Sequence, residues 1–303
     1  MSIIKSFSVG EGDMYYIDHN SDSFSIIDCC IPDSQEDRIL SELRQKCKTK
    51  SITRFISTHP DEDHLCGLQL LNAQIDIPNF YCVDNRAIKA EETVDFKYYC
   101  SLRNSQKAYF VYSGCSRKWL NRSDSQHGCA GINFLWPNTN NSFFKAALSS
   151  VAEGRGFNNI SPFFTYSVNN NITALWMGDI EHDFLEQIKD DVEWPEIDVL
   201  FAPHHGRQSG KVSADVLRKL NPYIVIIGEA PSQYLNYYSG FNTITQNSAG
   251  DITLSCSGDK VHIYISDPNY RYDTSFLTHE RDNCPSLGFY LGSFVPKKAV
   301  NRW

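Results

Sequence analysis

Apolar and polar residues alternate from the start of the chain. Ile3, Ile4, Phe7 and Val9 precede the glycine-bearing turn Gly10-Glu11-Gly12-Asp13, and Met14-Tyr15-Tyr16-Ile17 follows it. Two short apolar runs joined by such a turn predict a β-hairpin. After the polar turn His19 to Ser23, Phe24-Ser25-Ile26-Ile27 predicts a third strand, ending at Asp28. The period then changes. Ile39, Leu40 and Leu43 stand at helical spacing between Ser34 and Lys48, and Ile52 to Ser57 reads as a strand running into Thr58-His59-Pro60-Asp61-Glu62-Asp63-His64-Leu65-Cys66-Gly67. The apolar residues Leu68, Leu70 and Leu71 start the next helix. Strands alternating with helices predict an α/β chain.

Phe80 to Val83 predicts another short strand, after which periodicity is lost from about Asp84 to Asn133. It returns in Asn158 to Val168 and Ile172 to Met177, a strand hairpin around Asn169-Asn170-Asn171 that leads into Gly178-Asp179 and a helix over Ile180 to Lys189. Val199 to Ala202 has the continuous apolar character of a buried strand and ends in Pro203-His204-His205-Gly206. A short helix over Ser213 to Leu220, a strand over Pro222 to Gly228, and a hairpin of 251–256 with 260–265 complete the pattern. No long repeat, low-complexity tract or clear linker interrupts it. A single domain over 1–303 is the simplest division, with a variable insertion around 84–133.

Composition supports a globular chain: 41% of its 303 residues are hydrophobic and 13% aromatic, enough for a substantial core. A net charge of −8 argues against coating nucleic acid by bulk electrostatics. A local basic patch, or metal ions in a carboxylate-lined cleft, can still admit a phosphodiester. Arg86, Lys89, Lys97, Arg103, Lys107, Arg117, Lys118 and Arg122, interleaved with Tyr98, Tyr99, Tyr109 and Tyr112, can form a nucleic-acid surface; a solvated helix-and-loop surface is the plainer alternative. The 10 cysteines include no CxxC pair and read as reduced thiols. The amino terminus lacks the features of a signal peptide, and no window approaches the about 18 apolar residues that span a bilayer. The expectation is a cytoplasmic protein with no membrane partner; oligomeric state is left open.

The chemistry gathers at the predicted strand ends. Asp28, His59, Asp61, Asp63, His64, Asp179, His204 and His205 all fall there. Any one alone has a bland explanation: an isolated histidine is more often structural, Asp179 can cap the following helix, and Asp28 can be a turn residue. Two histidines and two aspartates within His59–His64 are a stronger signal. If these ends converge on one sheet edge, they supply nitrogen and oxygen ligands for two divalent ions, with Asp179 suited to bridge them. Such a pair holds a hydroxide and neutralises the scissile group. The carboxylates make manganese as plausible as zinc. Of His204 and His205, either can be the ligand; Asp28 fits better behind a ligating histidine than on the metal.

These residues resemble the metallo-β-lactamase fold hydrolases, and within them the branch that includes the soluble domain of the ComEC competence proteins. His59 to His64 spell that branch's H-P-D-x-D-H. Val9 to Asp13 is similar to its VGQGD turn, Ile27-Asp28 to its strand-end aspartate, and Asn158-Asn159-Ile160-Ser161 to its N-N-x-S segment. Met177-Gly178-Asp179 resembles its T-G-D and Pro203 to Gly206 its P-H-H-G, in the same order along the chain. The resemblance implies an αββα sandwich of two mixed sheets with helices outside and a metal site at their shared edge. It also implies a phosphodiesterase or nuclease acting on nucleic acid or a nucleotide.

On that reading His59, Asp61, Asp63, His64, Asp179 and His204 are ligands and Asp63 also holds the attacking water. Asp28, Asn158 and Ser161 lie behind them, and His205 or Arg207 steadies the phosphate charge. Asp61 stands where most of the superfamily has histidine, Asn158-Asn159 where a third histidine motif falls, and Arg207 where the branch has serine. A hydrolase of thioesters, lactones or amides is one alternative. A catalytically weakened binding or regulatory module is the other.

Overall fold

The computed structural model describes residues 1–168, 172–231, 233, 236–280 and 284–297. Strands β1 (Ser2–Ser6), β2 (Tyr15–Asp18) and β3 (Ser23–Ile27) form an antiparallel meander. Helix α1 (Glu36–Cys47) buries Ile39, Leu40 and Leu43, the residues whose spacing predicts it, and carries the chain to β4 (Ile52–Ile56), parallel to β3. Helix α2 (Leu68–Gln74) leads to β5 (Asn79–Cys82), and α3 (Val94–Arg103) to the edge strand β6 (Ala108–Phe110), both parallel to their neighbours.

The second sheet repeats this order. β7 (Ile132–Trp136), α4 (Ser142–Ala152), β8 (Phe163–Val168) and β9 (Ile172–Trp176) include another antiparallel meander. α5 (His182–Ile188) crosses to parallel β10 (Val199–Phe201), and α6 (Ala214–Leu220) to parallel β11 (Ile224–Ile227), beside which lies β12 (Thr243–Thr245). After the short α7 (Gln246–Ala249), the strands β13 (Ile252–Ser257), β14 (Lys260–Ile265) and β15 (Phe289–Phe294) return to the first sheet alongside β1. Among the described residues the result is a 9-stranded and a 6-stranded mixed sheet.

The pleat sets the layers, because successive side chains point to opposite faces. Tyr15 faces the second sheet, with its ring 5.1 Å from that of Phe201 and 6.1 Å from that of Trp176. Tyr16 faces the other way, where its hydroxyl donates to Glu42 of α1 at 2.8 Å. On the second sheet Phe164 stacks inward on Trp176, whereas Phe163 stacks on Trp136, which meets Phe144 of α4. Helix, sheet, sheet and helix therefore lie in four layers, the αββα arrangement implied by the resemblance. Apolar and aromatic area buried between the sheets holds the two together.

Boundaries shift where local chemistry intervenes. Asn158 to Ser161, expected to begin a strand, instead forms a turn over Phe157–Ile160, entered through Gly156 at φ 66° and closed by Ser161 N–H donating to the Asn158 carbonyl. The turn expected at Asn169 to Asn171 lies outside the described residues. Among the described residues no helix is long and apolar enough to cross a membrane.

Candidate metal centre

The carboxyl ends of β3, β4, β9 and β10 meet at one edge, where α/β sheets present their chemistry. The chain turns at Asp28 with φ 53°, a left-handed conformation that a non-glycine residue adopts at some cost. The buried Asp28 carboxylate accepts from Thr58 N–H at 2.8 Å, from Thr58 Oγ1 at 2.6 Å and from His64 Nδ1 at 2.9 Å. The histidine loop is fixed by its backbone. Asp13 N–H donates to the Asp63 carbonyl, Cys29 N–H to that of His64, and His64 N–H to that of Asp61. Gly12 permits this approach: a Cβ there would lie 2.7 Å from the Asp63 carbonyl oxygen.

From the second sheet come Asp179 and His205. Gly178, at φ 53°, lets the β9 loop pass against the β4 loop, since a Cβ would fall 2.7 Å from Ser161 Oγ and 2.9 Å from Thr58 Cβ. Asp179 N–H donates to Ser161 Oγ at 3.3 Å. His204 and His205 take φ 51° and 53°, so the chain reverses and one ring is buried while the other sits on the rim.

Asp63, His64, Asp179 and His205 thereby each offer a ligand atom, all within 4.8 Å of one another. His64 Nε2 and His205 Nε2 both stand 3.3 Å from Asp179 Oδ2, and His205 Nε2 is 3.5 Å from Asp63 Oδ2. Each histidine has a carboxylate behind it: Asp28 for His64, and for His205 the Asp13 carboxylate, 3.3 Å from Nδ1 and itself bonded by Tyr15. Both Nε2 atoms are buried and make no hydrogen bond among the described residues, and neither does Asp179 Oδ1. Buried polar atoms without partners are costly. Two imidazoles and two carboxylates converging on a point, with their inner atoms unsatisfied, fit a divalent ion.

Electrostatics agrees. Burial opposes charge on His64, yet Asp179 and Asp28 raise its pKa well above the ordinary value. Burial likewise opposes charge on His205, and Asp179 and Asp13 raise it. Against its burial, Asp179 is held far below the carboxylate range by these two rings. Asp63 falls to about 2 despite burial, through His205 and His64. A site that attracts a proton this strongly also attracts a cation.

The other expected residues lie outside this group. His59 is buried against His64, with ring centroids 4.1 Å apart and the rings tilted by 50°. Its Nδ1 lies 3.0 Å from Thr58 Oγ1 and 3.5 Å from Ser161 Oγ, and its Nε2 has no hydrogen-bond partner among the described residues. Burial and the neighbouring His64 lower its pKa to about 3, so the ring is neutral. Asp61 Oδ2 is 3.7 Å from His59 Nε2, and its Oδ1 is 3.6 Å from Lys89 Nζ. His204 Nε2 is 3.8 Å from Asp179 Oδ2, while its Nδ1 meets Ser209 Oγ at 3.0 Å. Arg207 pairs with Glu11 of the first turn. Asn158 contributes its carbonyl to the 157–160 turn; its neighbour Asn159 bonds Glu181.

Asp13, Tyr15, Thr58 and Lys89 belong to the centre without having been singled out as site residues in the sequence. Asp13 ends the glycine-bearing turn and Thr58 precedes His59, so both had a local signal. Lys89 had none, because the loop after β5 brings it back from a distance.

No family model matches the chain, and no curated protein does. Among solved structures, "a novel metallo hydrolase from the hyperthermophilic archaeon Ignicoccus hospitalis" is 12% identical with a TM-score of 0.49, covering 85% of this chain and 100% of its own. A "putative zn-dependent hydrolase of the metallo-beta-lactamase superfamily" from Thermotoga maritima is 14% identical with a TM-score of 0.31, covering 77% of this chain and 78% of its own.

Proposed function

We propose that this chain is a metal-dependent hydrolase of the metallo-β-lactamase type that cleaves a phosphodiester in nucleic acid or a nucleotide. The observation that carries the metal reading is the convergence of Asp63, His64, Asp179 and His205 with their buried Nε2 atoms unpartnered. The motif order from Val9 to Gly206 supports the hydrolase class, and the H-P-D-x-D-H spelling supports the phosphodiester. A divalent ion, which Asp63, His64, Asp179 and His205 would hold, would supply Lewis-acid chemistry for phosphodiester hydrolysis.

The chain's own groups do the rest. Asp28 bonds His64 Nδ1 and Asp13 lies 3.3 Å from His205 Nδ1, so both rings have Nε2 turned inward. Asp63 has a half-exposed side chain at the mouth and is kept ionised by His205 and His64 against its burial, so it can accept a hydrogen bond from the attacking water. His59 presents a neutral Nε2 as a further acceptor. Arg207 pairs with Glu11 through Nη2, so a substrate phosphate would compete with Glu11 for that nitrogen.

The test is turnover of bis-nitrophenyl phosphate, a single-stranded oligonucleotide and a nitrophenyl thioester by protein supplied with manganese or zinc. Metal-dependent phosphodiester cleavage that disappears in Asp63→Ala and Asp179→Ala is the expected result. Thioester turnover alone would replace phosphodiester by acyl chemistry. No turnover on any substrate with either metal would overturn the assignment.

A further inference from the structure

The loop after β5 places one cation against the H-x-D-x-D-H segment, and it is not a ligand. Lys89 Nζ lies 3.6 Å from Asp61 Oδ1 and 2.9 Å from Glu62 Oε1. It also sits over the rings of Phe96 and Phe157, at 5.1 and 5.3 Å from their centroids. Thr93 Oγ1 holds the other Glu62 oxygen at 2.8 Å. The side chain is only 13% exposed. An ammonium so enclosed is a fixed charge, not a solvated lysine that swings away.

The ligands are divided unevenly around it. Neither ligand-spaced group found among the described residues contains His59 or Asp61. Asn158 and Asn159, where a further histidine would be needed, are taken up in the 157–160 turn and in bonds to Glu181. A second divalent ion beside His59 and Asp61 would find a sparser ligand set than the first, and would face a like charge held against the same carboxylate.

We propose that Lys89 stands in for a second ion, so that the centre binds one divalent ion per chain, held by Asp63, His64, Asp179 and His205. This rests on the metal-hydrolase reading and narrows it, departing from the two-ion expectation. Asp61 is then neutralised by the protein itself, and His59 Nε2 accepts a hydrogen bond from water or substrate in place of ligating.

The experiment measures manganese and zinc per chain by mass spectrometry after equilibrium dialysis, with calorimetric titration alongside. Wild type should hold one ion. Lys89→Met, which keeps the stem and removes the charge, should take up a second ion at least about tenfold more tightly than wild type does; Lys89→Arg should stay at one. Asp61→Asn, independent of how Lys89→Met folds, should also keep one. Two tight ions in wild type, one ion in folded Lys89→Met, or loss of the ion in Asp61→Asn would each overturn the inference and leave the metal-hydrolase reading standing. No ion in wild type would overturn both.

Discussion

Asp61 and Asp63 leave the same turn two residues apart and end in opposite circumstances. Burial raises the pKa of both. His205 and His64 pull Asp63 down to about 2, whereas Lys89 does not offset the burial of Asp61, whose pKa stays raised. The contrast extends to the two sides of the centre. On the inner side His64 and His205 are each backed by an aspartate and turned toward Asp179. On the outer side His59 is backed by hydroxyls, Asp61 by a lysine, and His204 by Ser209 on the rim. What stands behind a candidate ligand, more than its place in the motif, decides whether it can serve a cation.

If that division is right, variants should separate along it. The largest effect falls on Asp179, which both inner histidines face. Asp179→Ala should lower kcat/KM on a phosphodiester by about a thousandfold or more, matching what a chelator does to wild type; an effect below about tenfold would break the comparison. Asp28→Asn is next. It leaves every proposed ligand in place but withdraws the negative charge behind His64, so metal affinity measured against a competing dye should fall about ten- to a hundredfold.

The pH dependence of the metal-free protein sharpens the same point. Folded-state pKa values of His64 and His205 are raised above the ordinary value of about 6.5, so their stabilisation is fully present below it and lost as pH rises through the folded values. Chelator-stripped protein should therefore lose Tm on going to alkaline pH. Added manganese should restore Tm more there than at pH 6, where protons compete for the same Nε2 atoms. Asp179, with its depressed pKa, works in the opposite sense: its contribution is present above about pH 3.9 and lost in stronger acid. The smallest effect is expected on the outer side. Asp61→Asn should change kcat/KM by less than about tenfold, and a loss comparable to that of Asp179→Ala would erase the distinction between the sides.

Much of this architecture was legible in the residues. Buried strands of a mixed sheet read as apolar runs with polar punctuation, so Ile27-Asp28, the run to His59, Met177-Gly178-Asp179 and Phe201 to His205 announce four strand ends. The rest was hidden for physical reasons. Helix α3 buries Phe96, Tyr99 and Leu102, but tyrosines and basic residues among them mask the periodicity. Several basic residues of that stretch have partners within the chain: Arg103 bonds Asn85, and Arg117 lies over Tyr81 and Tyr109. β12 and β15 sit at sheet edges, where one-sided burial weakens the pattern.

At the centre, His204 and His205 were indistinguishable in sequence because left-handed backbone at two successive non-glycine residues sends their rings apart. Lys89 was unreadable because nothing local ties a lysine in a loop to an aspartate on another strand's end.

The most direct measurement is anomalous X-ray diffraction from crystals grown with manganese or zinc. The account predicts one strong peak per chain, within ligand distance of Asp63, His64, Asp179 and His205, and none between His59 and Asp61. An absence of anomalous density among those four side chains, with density instead on the outer side, would contradict it.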